Sequence, residues 1–157
     1  MAFYPTTPPV VSGQFQIYAD GLDLGHCNKA TVPLGKVKIT KTNSAGNPYE
    51  TKFPSGMGEF DGLKLEMFHA ASGATIRWLL AWRDQCANFR TGQTGTTPDA
   101  AKKVITVEER DGGGNVVFTW KCVGAIPENL GELEHEAGKE DAVMLKLEFS
   151  VDRVDLE

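Results

Sequence analysis

Two runs of β-forming residues around a glycine-rich turn constrain this chain most strongly. Residues 104–109 alternate apolar and polar side chains, Asp111-Gly112-Gly113-Gly114-Asn115 reverses the chain, and residues 116–123 are rich in Val, Phe, Thr and Trp. This pattern predicts a β-hairpin. Period-two alternation places four side chains of the return strand on its core face: Val116, Phe118, Trp120 and Cys122. Three consecutive glycines predict a mobile turn, and Pro127, which has no backbone donor, is predicted to end the pairing.

The same alternation predicts further strands on both sides of this hairpin. Residues 14–20 place Phe15, Ile17 and Ala19 on one face, and a second β segment follows at residues 29–32. Residues 36–40 are predicted to turn Val37 and Ile39 inward. Two more strands are predicted with alternate inward residues, at 63–67 (Leu63, Leu65, Met67) and at 143–152 (Val143, Leu145, Leu147, Phe149, Val151).

One helix interrupts the strands. Residues 72–89 carry an apolar stripe at helical spacing: Ile76, Leu79, Trp82, Cys86 and Phe89. Ser72 is predicted to cap its N-terminus. Since one helix accompanies six or more antiparallel strands, the predicted fold class is mainly β, an antiparallel β-sandwich or barrel with one flanking α-helix.

Three segments are predicted to lie outside the core. Residues 1–13 contain Pro5, Pro8 and Pro9 and predict an extended N-terminal arm. Residues 41–58 are dense in Gly, Pro, Asn and Ser, and a loop of this length in a compact chain is usually functional or disordered. Residues 128–141 are acidic, without apolar periodicity, and are predicted to face water.

Length, net charge and cysteine spacing argue against several classes of protein. The 157 residues fit one domain, and a net charge of −5 argues against binding nucleic acid through phosphate neutralisation. No apolar run reaches the roughly 20 residues of a membrane span, and the N-terminal residues lack the pattern of a signal peptide. Cys27, Cys86 and Cys122 are widely spaced, which favours three buried thiols in a reducing compartment over disulfides or zinc.

No motif for catalysis is evident. The sequence has no GxSxG, P-loop or helix-opening GxGxxG. His26 and Cys27 are adjacent on a predicted strand and therefore point to opposite faces. Glu132, Glu134, His135 and Glu136 could hold a divalent metal in principle, but they lie in a solvated segment without ligand spacing. We therefore expect no metal, no cofactor and no enzymatic activity.

The order of these features resembles that of the tail tube proteins of contractile-tailed phages and related injection machines. FQIYADGL resembles the family's opening strand, and KVKIT, the loop with Gly46-Asn47-Pro48, and FPSGMGEFDGLKLEMF resemble its paired strands around a Pro-Gly loop. The helix with Trp78 and Trp82, the stretch VITVEERDGGGNVVFTWKCVGAIPENL and the closing EDAVMLKLEFSVDRV follow in the family's order, so that the resemblance spans about residues 14–154. This sequence departs from the family's pattern in two places. It has PSG where the family has a Pro-Gly step, and its acidic loop before the last strand is longer than the family's.

The resemblance implies a single tail-tube domain over residues 1–157 that oligomerises through its sheet edges. Six subunits would form a ring, and stacked rings would form a hollow tube inside a sheath, through which genomic DNA passes without sequence-specific binding. The implied partners are further copies of the chain, the tail sheath protein, and baseplate and tail terminator proteins. The implied location is the virion tail, assembled in the host cell cytoplasm, without membrane insertion.

The resemblance also suggests which residues serve assembly. Residues expected to line the lumen are Lys36, Lys38, Thr40, Lys64 and Glu66. The segment 41–58 would be an inter-subunit arm carried by the paired strands 36–40 and 63–67, and its expected contact residues are Asn43, Asn47, Pro48, Tyr49, Phe53 and Pro54. Two alternatives stay open at this point. One is the inner tube of a type VI secretion system or tailocin, and the other is a monomeric ligand-binding β-barrel.

Overall fold

The fold was analysed in a computed structural model. It describes residues 15–43, 45–46, 48–56, 58–68, 73–88, 90–94, 98–133, 136–138 and 143–157. Within these residues the chain forms eleven strands and two helices. In chain order they are β1 (Phe15–Ala19), β2 (Leu22–Thr31), β3 (Ile39–Thr42), β4 (Thr51–Pro54), β5 (Leu63–Phe68), α1 (Ala74–Cys86), β6 (Ala87–Asn88), β7 (Gln93–Thr94), α2 (Pro98–Ala101), β8 (Lys103–Arg110), β9 (Val116–Asn129), β10 (Met144–Ser150) and β11 (Arg153–Leu156).

Six antiparallel strands close into a barrel. Their order is β10-β5-β2-β1-β8-β9, and β9 pairs again with β10. The 14 residues of β9 make this closure possible, because its C-terminal end pairs with β10 while its earlier part pairs with β11. The chain steps from β10 to β11 along the same edge of β9, with the Asp152 N–H donating to the Val123 carbonyl at 3.0 Å. The predicted mainly-β barrel with a flanking helix is confirmed.

Alternation along the strands fills the barrel. In β5 and β10 every inward side chain is buried, and Leu65, Leu147 and Phe149 are at most 1% exposed. In β1, Ile17 and Ala19 are buried as predicted. Gln16, on the opposite face of β1, is also buried, and its side-chain amide donates to the Asp23 carboxylate.

Helix α1 packs against the barrel through part of its predicted stripe. Leu79 and Trp82 are buried, while Ile76 and Cys86 pack at the edge of the core. The helix is shorter than predicted, because it ends at Cys86 and begins after Gly73, an N-cap with φ 66° and no side-chain cap. Ser72 and Phe89 lie outside the described residues.

The predicted central hairpin forms from β8 and β9, but two of its details differ from expectation. β9 continues through Pro127 to Asn129, and Pro127 lies opposite Phe149 beside an irregularity between Glu148 and Phe149. A β-bulge is one of the few places where a sheet accepts a residue without an N–H. Val116, predicted to be core, is 48% exposed because it lies at the end of the hairpin that extends beyond the barrel.

The glycine turn of this hairpin is tied by hydrogen bonds. One carboxylate oxygen of Asp111 accepts from the Gly113 and Asn115 N–H groups, each at 2.9 Å, and the Asp111 N–H donates to the Asn115 carbonyl. These bonds lower the pKa of Asp111, with the Asn115 backbone contact the largest cause. The Asp111 side chain thereby supplies a constraint that glycine lacks, and the mobility of the turn stays a prediction.

Candidate assembly surface

A β-hairpin leaves the barrel between β2 and β5, and we call its described residues from Lys36 to Glu59 the hairpin arm. At its base, Lys36 and Glu59 exchange two backbone hydrogen bonds of 2.8 and 3.1 Å. Strands β3 and β4 form its stem, with Ile39 opposite Pro54 and Thr42 opposite Thr51. They form a separate two-stranded sheet, so the arm is outside the barrel's strand order.

The arm corrects three predictions about this region. The segment 41–58 contains strand β4 and the end of β3, so it is a hairpin and not an irregular loop. Strand 36–40 does not pair with 63–67, because β3 pairs with β4 while β5 pairs with β2 and β10. Val37 and Ile39 do not turn into the core, since they are 65% and 56% exposed. Alternation identifies side chains that share a face, but a lone ribbon has no second layer to cover either face.

The predicted contact residues of the arm are brought together. Asn43, Pro48 and Tyr49 lie toward its tip, and Phe53 and Pro54 lie in β4. All five are exposed, and Tyr49 and Phe53 are 77% and 43% exposed. Asn47 lies outside the described residues.

The sequence prediction missed how much apolar surface the arm presents. Val37 and Ile39 are exposed together with Tyr49 and Phe53, and Leu34, just before the arm, is exposed as well. Apolar residues cover both faces of the stem, because Ile39 lies opposite Pro54 on one face and Phe53 lies opposite Thr40 on the other. In the sequence, Pro33-Leu34-Gly35 indicates that the arm is separate from the barrel, because it interrupts the chain between β2 and β3. Clustered exposed apolar side chains mark protein contact sites.

The arm is also basic on an acidic chain. Between residues 36 and 59 four lysines accompany two glutamates, whereas the whole chain has a net charge of −5. At the base, the Lys36 ammonium lies 3.0 Å from the Asp61 carboxylate, whose hydrogen bond raises the pKa of Lys36. In the stem, Lys41 lies opposite Lys52 and 4.0 Å from Glu50. A basic, apolar projection suits a partner with an acidic surface.

The five residues expected to line the lumen fall on two separate elements. Lys36, Lys38 and Thr40 belong to the arm, whereas Lys64 and Glu66 lie on the outer face of β5. On that outer face, cross-strand positions alternate in charge. Lys64 lies opposite Glu148 with 3.9 Å between the charged atoms, and Glu66 lies opposite Lys146 and Lys29. Such a mixed-charge face offers no continuous cation row to phosphates.

Strand β11 forms an open edge of the main sheet. Within the part of the chain that the structure describes, β11 pairs with β9 alone. An unpaired strand edge is a template for pairing with another chain. Sequence patterning missed β11 because its four residues follow the bend at Asp152 and show only one half-buried side chain.

The remaining candidate residues are the three cysteines and the acidic segment 128–141. All three cysteines are free thiols, and burial raises the pKa of Cys122 to about 12. Glu132 and Glu136 are exposed, while Glu134 and His135 lie outside the described residues. Among residues that can be described, no three of His, Cys, Asp and Glu lie close enough together to bind a metal ion. No helix in the described ranges is both long and apolar enough to cross a membrane.

Comparison with known proteins supports the resemblance found in the sequence. The sequence matches no family model. A tail tube protein of Serratia phage KSP90 is 26% identical over 93 residues, which are 59% of this chain and 52% of that protein. The chain thus spans about half the length of this curated relative.

Two solved structures share the fold over nearly the whole chain. A chain from the sheath–tube complex of an extracellular contractile injection system, PVC, superposes with a TM-score of 0.71 at 17% identity, covering 97% of this chain and 93% of that one. A type six secretion system protein superposes with a TM-score of 0.57 at 9% identity, covering 92% and 83%. The resemblance to tail tube proteins is confirmed by a partial sequence match and by a fold shared over nearly the whole chain.

Proposed function

We propose that this chain is the structural subunit of the tail tube of a contractile-tailed bacteriophage. As a single tube domain over residues 1–157, it forms hexameric rings that stack into a hollow tube inside a contractile sheath. Genomic DNA is delivered to the host through the lumen. The role is structural, without catalysis, metal or cofactor.

The hairpin arm carries this proposal. The barrel closes through β9 and β10 without any contribution from β3 and β4, so the fold of a single copy does not need the arm. The arm nevertheless exposes Val37, Ile39 and Tyr49, each by more than half. Leaving that apolar surface in water forfeits about 25 cal/mol for each Å² that a partner would bury. In the proposed ring, a neighbouring subunit buries this apolar surface of the arm.

The open edge of β11 supports closure into a ring. It lies on a different element from the arm, so contacts through arm and edge join unlike surfaces of two copies. Such heterologous contacts generate a closed ring when the rotation between copies is a simple fraction of a full turn. The ring removes the pairing hazard of the edge.

The outer face of β5 and β10 suits a wall that DNA slides past. Lys64 and Glu66 are proposed to line the lumen. Side chains of opposite charge pair across the strands there and therefore attract few phosphates. Lys36, Lys38 and Thr40 are proposed to reach the lumen from the arm. The sheath is proposed to contact the outside of the tube, and baseplate and tail terminator proteins are proposed to contact its ends. The particle is assembled in the host cytoplasm and functions in the virion tail.

A second candidate is the inner tube of a contractile injection system that is not a phage. The chain from the PVC sheath–tube complex supports it with a TM-score of 0.71, and the type six secretion system protein supports it with a TM-score of 0.57. A type VI or tailocin tube therefore remains the alternative within the same architecture. A monomeric ligand-binding barrel is disfavoured, because buried side chains of all six barrel strands occupy the interior, among them Ile17, Leu65 and Phe149.

Electron microscopy of the purified protein tests the proposal. Rings or tubes are the expected result, and a monomer in both microscopy and sedimentation would refute it. Gene neighbourhood separates the two tube candidates. Capsid and terminase genes near a sheath gene indicate a phage, whereas a sheath gene without them indicates the alternative.

A further inference from the structure

An apolar strip lies where β9 and β11 leave the barrel. We define the apolar strip as Phe118, Trp120 and Leu156. Phe118 and Trp120 alternate along β9 with their rings 6.3 Å apart, and Leu156 lies opposite Trp120. On its other side Trp120 lies opposite Val107, a residue of the barrel core. The strip therefore continues the core face of the sheet.

Exposure rises along this face toward the edge of the sheet. Val107 is 0% exposed, Trp120 is half-buried and Leu156 is 53% exposed. Beyond β11 the described part of the chain has no further strand that could cover Leu156. An apolar face that is left open in this way is typical of a protein contact site.

A carboxylate without a cationic partner borders the strip. Glu109 lies opposite Phe118, and its carboxylate accepts the Trp120 indole N–H at 3.2 Å. Among the residues that the structure describes, Glu109 forms no ion pair. The strip therefore combines apolar side chains with one uncompensated negative charge, which favours an apolar and basic partner.

The hairpin arm has both properties on one face of its stem. Register places Ile39 and Pro54 opposite each other, and Lys41 and Lys52 follow on the same face, two residues nearer the tip. Ile39 is 56% exposed, and Pro54 and Lys52 are exposed as well. Lys41 lies 4.0 Å from Glu50, whereas Lys52 has no ion pair within the described ranges. This face therefore presents an apolar pair beside an unpaired ammonium group.

The spacing of apolar and charged groups is the same on the two surfaces. On the strip, the row of Trp120 and Leu156 lies two residues from the row of Glu109, which is about 7 Å along the strands. On the stem, the apolar pair lies two residues from Lys52, which is also about 7 Å. When the apolar groups of the two surfaces meet, the ammonium of Lys52 can therefore reach Glu109.

Within one copy the two surfaces do not cover each other, since Ile39 and Leu156 are each more than half exposed. We propose that the stem of one copy docks on the apolar strip of a neighbouring copy. The apolar pair of the stem covers Trp120 and Leu156. Lys52 pairs with Glu109. This inference rests on the proposed ring and names the surface that receives the arm.

Disulfide trapping between two differently labelled copies tests the proposal. Isotope-labelled Ile39→Cys and unlabelled Leu156→Cys are mixed, assembled and oxidised. Both carry Cys86→Ser, because Cys86 is the least enclosed native thiol. We expect a mixed-isotope disulfide between the two substituted positions. Rings or tubes that form without it would overturn the docking and leave the ring proposal standing, whereas a protein that stays monomeric would refute both.

Two matched variants control for random collision. Phe53→Cys replaces Ile39→Cys and should give little disulfide, because Phe53 lies on the opposite face of the stem. Leu22→Cys replaces Leu156→Cys and should also give little, although Leu22 is 46% exposed. Equal yields from these controls would contradict the docking. A single chain with both Ile39→Cys and Leu156→Cys that closes a disulfide as a dilute monomer would assign the strip to its own arm and overturn the proposal.

Charge reversal tests the ion pair. Glu109→Lys and Lys52→Glu should each raise the protein concentration needed for assembly by at least about tenfold, and their combination should restore it. Sedimentation measures this concentration. Glu109→Gln keeps an oxygen that accepts the Trp120 indole N–H, so weaker assembly of this variant would report the lost charge. A combined variant that assembles no better than the single variants, or normal assembly of Glu109→Lys, would contradict the pairing.

Discussion

The Trp82 indole of helix α1 stacks on the Phe149 ring of strand β10, with ring centroids 5.5 Å apart and an angle of 20° between the planes. Both side chains are at most 1% exposed. The indole N–H donates to the Ala101 carbonyl at 2.7 Å, so its polar atom is satisfied within the core. One side chain therefore ties the helix to the closing strand of the barrel and to the segment that leads into β8.

Trp82→Ala should lower the free energy of unfolding by about 3–5 kcal/mol, because it leaves a large cavity and an unpaired carbonyl at Ala101. Denaturant unfolding followed by circular dichroism measures the loss. The control is Leu80→Ala on the same helix, whose side chain is 36% exposed and should change stability by much less. Equal losses in the two variants would show that the Trp82 contact does not hold the helix.

Removing the hairpin arm should abolish assembly and leave the barrel folded. The deletion should follow the backbone pairing at the base of the arm, with a short Gly-Ser turn joining Lys36 to Glu59, which exchange two backbone hydrogen bonds. A cut from Asn43 to Pro54 would leave β3 without its partner. Circular dichroism and sedimentation on the same sample are the measurements. Shortening a loop changes closure entropy slowly, so an unfolded product would place the arm in the core, and tubes of normal length would exclude it from assembly.

Gly58→Ala should distort the base of the arm. A Cβ at Gly58 would overlap the Lys36 carbonyl, which is backbone and cannot move aside like a side-chain tip. Because that carbonyl accepts the Glu59 N–H, we expect loss of assembly with little change in Tm. Gly112→Ala is the control, since a Cβ there meets nothing within 4 Å. Normal tubes from Gly58→Ala would show that the base geometry is not needed.

Alkylation should distinguish the three thiols. Burial raises the pKa of Cys122 to about 12 and also raises that of Cys27, while Cys86 is the least enclosed of the three. At pH 8 the native protein should react slowly and at Cys86 only, since the thiolate is the nucleophile. In denaturant all three should react. Mass spectrometry counts the adducts, and rapid native labelling of Cys122 would contradict its place in the core.

The hairpin turn should lose stability in acid. The folded-state pKa of Asp111 lies below its ordinary value of 3.8, so its ionised form stabilises the fold above that pH. This contribution disappears as the pH falls through the folded pKa. Asp111→Ala should therefore have a lower Tm than the parent chain at pH 7, and the difference should shrink below about pH 4. A Tm difference that is constant from pH 7 to pH 3 would exclude the carboxylate as its cause.

The sequence by itself determined five of the six barrel strands and the helix that packs against them. Alternation located β1, β5, β8, β9 and β10 and chose their buried faces, because period two is fixed by strand geometry and burial by side-chain chemistry. Spacing of 3.6 residues located α1 and identified Leu79 and Trp82 as its buried contacts. Both are local properties, because they depend only on residues that are close together in the sequence.

Only the tertiary structure decided which predicted faces are covered. Val37 and Ile39 alternate as regularly as Leu63 and Leu65, yet the first pair is exposed and the second is buried. The difference arises from strand pairing, since β3 pairs with β4 outside the barrel and β5 pairs with β2 and β10 within it. Pairing depends on residues distant in sequence, and no local period reports it. The hairpin arm, which carries the proposed assembly contacts, was therefore identified only from the tertiary structure.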